Sequence, residues 1–149
     1  MTCKETLYKY CQTQVTEQLT ILENTLASHQ KALLSETKSS AGDKHETGRA
    51  MVQLEMEKTG KQLQESAKLQ AVLAQVNYVK TSEHVCLGSL VYTSKGTYFI
   101  SISLGKIALK NTEYYAVSPQ APIGRILLGK QAGDTVVWNE QPLKILKIE

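Results

Sequence analysis

The sequence has few of the residues that mark secreted, membrane-spanning or metal-binding proteins. Its three cysteines include no Cys-x-x-Cys pair and have no histidine at metal-ligand spacing, so neither a disulfide framework nor a zinc site is indicated. We expect Cys11 and Cys86 to be packed as small apolar side chains. Residues 1–6 contain no apolar signal-peptide core, and no apolar run is long enough to span a bilayer. These absences predict a cytoplasmic protein with no membrane partner.

The net charge is small, and the aromatic residues are few and unevenly placed. A formal net charge of +3 over 149 residues is too small to indicate general nucleic-acid binding through bulk electrostatics. Since 42% of the residues are hydrophobic, the chain is expected to fold. Apart from Tyr8 and Tyr10, every aromatic residue lies at or after Tyr78. This distribution predicts two domains of different construction, residues 1–79 and residues 80–149.

The first domain has the sequence pattern of two long helices. Glycine and proline are missing from residues 2–37, where apolar residues recur at steps of three and four, as in a heptad repeat. This seam consists of Val15, Leu19, Leu22, Leu26 and Leu33, with His29 in the remaining position. Residues 44–79 also lack proline and carry a looser stripe at Val52, Met56 and Leu63. Two helices of similar length joined by a short polar bend pack antiparallel, so we expect a coiled-coil hairpin.

The predicted bend carries two carboxylates three residues apart, Asp43 and Glu46, within a tip at residues 42–47. One interpretation is a capping box, in which Asp43 accepts hydrogen bonds from backbone N–H groups and Glu46 folds back. In the other interpretation, both acids project from the first turn and hold a hard cation such as Mg²⁺, or orient water, within a partner's active site. Two acids do not form a complete cation site, so the partner would supply the remaining ligands.

Basic residues flank the same tip. Lys38, Lys44 and Arg49 could contact phosphates of RNA or a protein partner. The alternative is that they belong to an ordinary solvated helix face.

The second domain has the short, alternating apolar segments of a β-sheet. Strands are predicted at residues 85–93, 97–104, 107–109, 114–117, 135–138 and 143–148. Alternation at Tyr98, Ile100, Ile102 and Leu104 indicates one buried face. Residues 122–129 read as a short helix, with proline near its start and glycine at its end. The predicted fold class is therefore α+β: a helical hairpin followed by an antiparallel β domain with one short helix.

Two stretches together resemble a known family. Residues 118–130, which read SPQAPIGRILLGK, with Gly133-Asp134-Thr135-Val136 after them, resemble the C-terminal domain of the Gre transcript-cleavage factors of bacterial RNA polymerase. That domain is FKBP-like in fold. The tip sequence GDKHE at residues 42–46 is similar to the Gly-Asp-x-x-Glu of the same family's coiled coil, although the family usually has Asp-Leu-Ser-Glu-Asn where this chain has Asp-Lys-His-Glu-Thr. The order and spacing of the two stretches agree with the family over essentially the whole chain.

The resemblance implies that the β domain docks at the rim of the secondary channel of RNA polymerase and that the hairpin enters the channel. Asp43 and Glu46 would help to hold a second Mg²⁺ and a water at the polymerase active centre, where the nascent RNA 3′ end of a backtracked transcript is hydrolysed. The hydrolysis would be the polymerase's own, so the chain would be a transcription elongation factor and not an enzyme. The resemblance also implies DNA binding within the transcription complex, and we expect a monomer. Lys38, Lys44 and Arg49 are the candidates for contact with RNA or polymerase.

Two alternatives remain. A non-catalytic relative could occupy the same channel and inhibit or compete, although the retained pair of acids favours cleavage. A protein of another class, an FKBP-like peptidyl-prolyl isomerase with a helical dimerisation arm, would need an aromatic-lined pocket. The side chains available for such a pocket are Tyr92, Tyr98, Phe99, Tyr114 and Tyr115.

Overall fold

The structure is a computed structural model that describes residues 2–38 and 42–149. Of residues 36–38 and 42–46 it describes the helical backbone and not the side chains. The chain divides into two compact units, Thr13–Gln70 and the combination of Met1–Gln12 with Ala71–Glu149. The domain boundary predicted between residues 79 and 80 stays a prediction.

Two long helices form the N-terminal hairpin, α1 (Cys3–Lys38) and α2 (Gly42–Gln75). At the start of α1 the Thr2 hydroxyl accepts a hydrogen bond from the Glu5 N–H at 3.1 Å, which satisfies one of the free donors of the first turn. The negative charge of Glu5 in that turn also suits the helix dipole. The absence of proline and glycine over most of both segments therefore leads to the helices that the sequence predicts.

The second helix ends four residues earlier than predicted. Asn77 follows Gln75 closely, and its side-chain carbonyl accepts hydrogen bonds from the N–H groups of Val79 and Lys80 at 3.1 and 3.2 Å. An asparagine that binds backbone groups two and three residues ahead stabilises a turn in competition with the helix. The linker to the sheet therefore begins at residue 76.

Burial within Thr13–Gln70 follows the seven-residue repeat, and polar residues take part in it. Val15 and Leu22 are buried on α1, as predicted. In the part of α2 that belongs to this unit, Thr59 and Ser66 are buried, seven residues apart. They complete the stripe of Met56 and Leu63 at steps of three and four. The stripe looked loose in the sequence because only apolar residues were counted, whereas small hydroxyl side chains also occupy seam positions.

The rest of the chain forms a six-stranded sheet and one short helix. The strands are β1 (Leu90–Thr93), β2 (Gly96–Ile100), β3 (Gly105–Leu109), β4 (Thr112–Val117), β5 (Thr135–Trp138) and β6 (Gln141–Ile148). The helix α3 (Pro122–Leu127) lies between β4 and β5 in the chain. The strand order across the sheet is β3-β4-β2-β1-β6-β5. These elements confirm the predicted α+β class of a helical hairpin followed by a sheet with one short helix.

The sheet is mixed, which corrects the prediction that it is antiparallel throughout. The β2–β4 pair is parallel, with Tyr98 opposite Tyr115 and Ile100 opposite Val117. The chain leaves β2, forms β3 one strand further out, and returns through β4 into the gap, so that β4 runs in the direction of β2. Periodicity in the sequence indicates strands but not their neighbours, so it could not reveal this crossover.

Both faces of the central strands are buried. Leu90, Phe99 and Ala116 lie opposite one another on β1, β2 and β4 and form a buried row. The opposite face belongs to a core cluster that includes Val91 and Ile100. The expectation of a single buried face on β2 is therefore wrong for Phe99, because the sheet is covered on both sides.

The segment predicted as a strand over residues 85–93 is a strand only from Leu90 onward. Before it, the Val85 N–H donates to the Lys130 carbonyl at 2.9 Å, and the Gly129 N–H donates to the Val85 carbonyl at 2.8 Å. Val85 therefore pairs with the chain that follows α3.

Cys86 is exposed, which corrects the expectation that it is packed as an apolar residue, whereas Cys11 is buried as predicted.

Tight turns of a hairpin type connect two of the strand pairs. Lys110 and Asn111 have positive φ angles of 47° and 66°, and Asn139 and Glu140 have 51° and 63°. Two consecutive residues with positive φ are typical of type I′ turns, whose twist matches that of the strands.

No helix among the described residues contains a stretch long and apolar enough to cross a membrane.

Candidate functional site

The predicted acidic site falls at the start of α2. Lys38 is the last residue of α1, and Asp43, Lys44 and Glu46 lie in the first turns of α2, which begins at Gly42. The side chains of these four predicted site residues lie outside the described side chains, so their roles stay predictions. Arg49, the fifth predicted residue, is exposed and lies seven residues after Gly42 in the same helix.

The two acids lie in helical backbone. Asp43 directly follows Gly42, the first residue of α2. Residues three apart on a helix are neighbours on its surface, and Asp43 and Glu46 have this spacing in the helical backbone. The start of a helix also has partial positive charge, which favours ionised carboxylates there. The pair of oxygen donors for a hard cation and the capping box both stay predictions.

Further ligands for such a cation are not grouped elsewhere in the described part of the chain. Among the residues whose side chains are described, no three histidine, cysteine, aspartate or glutamate side chains could hold one ion together. Carboxylate oxygens are the donors that Mg²⁺ prefers, and it commonly takes one or two from a protein together with several waters. The donor chemistry of Asp43 and Glu46 therefore fits Mg²⁺, whose remaining ligands would be waters or groups of a partner.

The second stretch of the family resemblance forms the β4–α3 loop and α3. Gly124 in α3 is packed so closely on this loop that a Cβ atom there would lie 2.0 Å from the Ser118 carbonyl oxygen. The loop is held by the Ala121 N–H, which donates to the Ser118 carbonyl at 3.0 Å, and by the Ser118 N–H, which donates to Ser103 Oγ at 3.0 Å. Glycine is thus required at position 124 by close backbone approach.

The same stretch has a buried side and an exposed side. Ile123 and Leu127 are buried in the core cluster of the sheet, and Gly129, with φ of 78°, takes a left-handed conformation just after the helix. Arg125 and Leu128 are exposed. Most of this motif therefore serves the fold, and only its exposed positions are available to a partner.

The aromatic side chains proposed for an isomerase pocket do not meet in one cavity. Phe99 is fully buried, and the rings of Tyr98 and Tyr115 pack on each other with centroids 5.7 Å apart. Tyr92 and Tyr114 line two different cavities. The geometry therefore gives the isomerase alternative no support.

A polar cluster that the sequence analysis missed lies where α1 begins. Lys4 is 6% exposed, and its Nζ donates to the Lys80 carbonyl at 3.0 Å. Burial lowers the pKa of Lys4 below its usual value. A sequence signal for its burial existed: Lys4 lies seven residues before Cys11 and so shares the buried side of α1.

Glu149 forms the other half of this cluster. The Tyr92 hydroxyl donates to Glu149 Oε2 at 3.1 Å, and Lys147 Nζ lies 2.8 Å from Glu149 Oε1. The hydrogen-bonded ion pair with Lys147 and the bond from Tyr92 hold the pKa of Glu149 below its usual range. Burial, together with the bond to Glu149, raises the pKa of Tyr92. No sequence pattern indicated this contact, because Tyr92 and Glu149 are brought together by strand pairing.

Comparison with solved structures finds proteins that are similar to this chain in fold. Among the solved structures that match is the crystal structure of GreA factor homolog 1 (Gfh1) of Thermus thermophilus, with 16% sequence identity and a TM-score of 0.37, over 92% of this chain and 93% of that chain. No protein-family model and no curated protein sequence matches the chain. At this level of similarity the likeness carries no argument about activity.

Proposed function

We propose that this protein is a transcription elongation factor that binds bacterial RNA polymerase in its secondary channel and stimulates cleavage of backtracked nascent RNA. The observation that carries the proposal is the pair of acids in the first turns of α2, directly after a three-residue connection between two helices of 36 and 34 residues. A slender hairpin with oxygen donors at its closed end suits delivery of negative charge into another molecule's site. The match of residues 118–130 to the family's motif supports the same proposal.

In this proposal Asp43 and Glu46 supply carboxylate oxygens to a Mg²⁺ site that the polymerase leaves incomplete. When bound, Mg²⁺ would stabilise charge that develops on the scissile phosphate and lower the pKa of an attacking water. The two acids would orient that water and bring the negative charge that a second cation needs. Arg49, which is exposed, and Lys38 and Lys44 would contact RNA phosphates or the polymerase. The chain would not be an enzyme by itself, since the hydrolysis would be that of the polymerase.

The test uses stalled, backtracked elongation complexes with the full chain. The double variant Asp43→Asn with Glu46→Gln removes both negative charges while keeping side-chain size. We expect the rate of RNA shortening to fall by about a hundredfold or more, which corresponds to about 3 kcal/mol, with binding to polymerase retained. The matched control is Glu55→Gln with Glu57→Gln, two exposed acids of the same helix, which should cleave at the wild-type rate.

The outcomes separate the competing interpretations. If the tip variant cleaves at the wild-type rate, the assignment of Asp43 and Glu46 is wrong. If the wild-type chain binds in the channel and never stimulates cleavage, it is a channel-binding inhibitor or competitor. If the tip variant loses helical circular dichroism, a structural role for the acids is sufficient.

A further inference from the structure

A cavity of about 410 Å³ lies beside the beginning of α1, within the unit that contains the sheet. Cavities of about 300–1,000 Å³ are typical of small-ligand sites. Its wall includes Cys3, Lys4, Tyr78, Tyr92 and Glu149. It is therefore large enough for a ligand of one ring and combines charged groups with aromatic surface.

The ammonium group of Lys4 is incompletely satisfied in this wall. A lysine ammonium has three N–H donors, and among the described residues Lys4 makes one hydrogen bond, to the Lys80 carbonyl, and no ion pair within 4.0 Å. Its side chain is nevertheless almost completely removed from solvent, at 6% exposure. The Glu149 carboxylate attracts this ammonium, but it forms no ion pair with it within 4.0 Å. Burying donors that make no hydrogen bond is costly, so an anionic oxygen placed in the cavity would satisfy donors that the protein leaves open.

The charges around the cavity favour an anion. Glu149 also lines it, but its carboxylate already accepts a hydrogen bond from Tyr92 and is paired with Lys147 at 2.8 Å. Lys147 and Lys4 both attract Glu149, so two ammonium groups face one side-chain carboxylate and these three groups together carry a positive charge. A ligand cation would have to compete with Lys147 for Glu149 at 2.8 Å, whereas a ligand anion would compete for Lys4 only with a carboxylate more than 4.0 Å away.

The remaining wall suits a planar, partly apolar body. The ring of Tyr78 is fixed by packing on Tyr8, with centroids 4.9 Å apart, and Tyr92 is held by its bond to Glu149. Both rings are therefore ordered before a ligand arrives, which lowers the entropic cost of binding. Val79, which is 81% exposed, lies at the wall where it can be reached from solvent.

We propose that this cavity binds a small aromatic anion, with a carboxylate or phosphate group on Lys4 and the ring against Tyr78 and Tyr92. The cavity does not include the hairpin tip, so this proposal and the proposed action on polymerase are tested independently of each other.

The test is a titration of the ¹⁵N-labelled full chain by ¹H–¹⁵N correlation NMR with four probes. Benzoate and phenyl phosphate carry a ring and an anionic group of either kind, benzamide carries the ring without charge, and acetate carries the charge without the ring. We expect saturable shifts around Lys4, Tyr78 and Tyr92 with benzoate or phenyl phosphate, the stronger of the two identifying the preferred headgroup. Benzamide and acetate should bind at least about tenfold more weakly, because each lacks one of the two interactions.

Two variants and a control test the assignment of residues. Lys4→Met keeps the apolar stem and removes the charge, and it should weaken binding by about tenfold or more. Val79→Trp, which fills the accessible side of the cavity and leaves Lys4 intact, should also weaken binding if Lys4→Met does not fold. Lys144→Met removes one exposed charge of the same sign on β6 and should bind as the wild type does.

A readout specific to the ammonium separates binding from a structural role. The pKa of Lys4, followed by its side-chain NMR signals, should rise when the anion is bound, because a negative neighbour favours the charged form. The proposal is overturned if no probe gives saturable shifts at the cavity, if benzamide binds as well as benzoate, or if Lys4→Met binds as the wild type does.

Discussion

The close approach of Gly124 to the β4–α3 loop gives the sharpest test of how this fold is held together. In Gly124→Ala the new Cβ atom would lie 2.0 Å from the Ser118 carbonyl oxygen and 3.1 Å from Pro119 Cα. All the nearest atoms belong to the backbone, so the clash is relieved only if α3 or the loop moves by more than about 1 Å. The loop is fixed by hydrogen bonds of Ser118 to Ser103 and Ala121, and α3 is fixed by its buried side chains.

The magnitude follows from two opposing effects. Forcing an extra carbon into a packed site costs about 3 kcal/mol at the upper end of the usual range. Alanine returns about 1 kcal/mol through its higher helix propensity. We therefore expect Gly124→Ala to lower the free energy of unfolding by about 2 kcal/mol, and the urea midpoint by about 1 M for a denaturant slope of about 2 kcal/mol per M.

The assay uses the fluorescence of Trp138, the single tryptophan of the sequence, which packs against the same core cluster as α3. The matched control is Gly60→Ala in α2, where a new Cβ would meet nothing within 4 Å. That change should raise helix stability by about 1 kcal/mol, measured by circular dichroism at a helical wavelength. If Gly124→Ala unfolds at the wild-type midpoint, or Gly60→Ala is the more destabilising of the two, the steric account of this motif is refuted.

Two further predictions concern titratable groups. Burial raises the pKa of the Cys11 thiol to about 11, whereas Cys86 is exposed. With a thiol reagent at pH 8, Cys86 should therefore react at once and Cys11 only at the rate of unfolding. Equal reaction rates for the two cysteines in the folded chain would contradict the burial of Cys11. Because the folded-state pKa of Glu149 is lowered, its contribution to stability should be full above the usual glutamate range and be lost as the pH falls through the folded-state value. Tyr92→Phe removes one of the groups that lower this pKa. The NMR titration of Glu149 should therefore move to higher pH, and the loss of stability on acidification should become smaller. An unchanged titration would show that the hydrogen bond from Tyr92 to Glu149, at 3.1 Å, has no effect in solution.

The two proposed sites, the hairpin tip and the cavity at Lys4, differ in how visible they were in the sequence. Asp43 and Glu46 were found because they lie in a polar stretch between two helical patterns and match a short motif. Their role as cation ligands stays a prediction. The cavity at Lys4 was not found, because its walls come from the start of α1, the linker, β1 and the residue after β6. Residues this far apart in the chain share no local pattern.

The sequence by itself determined the elements whose causes are local. Long stretches without proline or glycine, with apolar residues at steps of three and four, produce α1 and α2, and alternation with turn residues produces the six strands. The tertiary structure alone decided which strands are neighbours, why β4 runs parallel to β2, and which residues are buried against expectation, such as Phe99 on β2. Periodicity records which side of an element is apolar, whereas pairing and burial depend on what the rest of the chain places against that side.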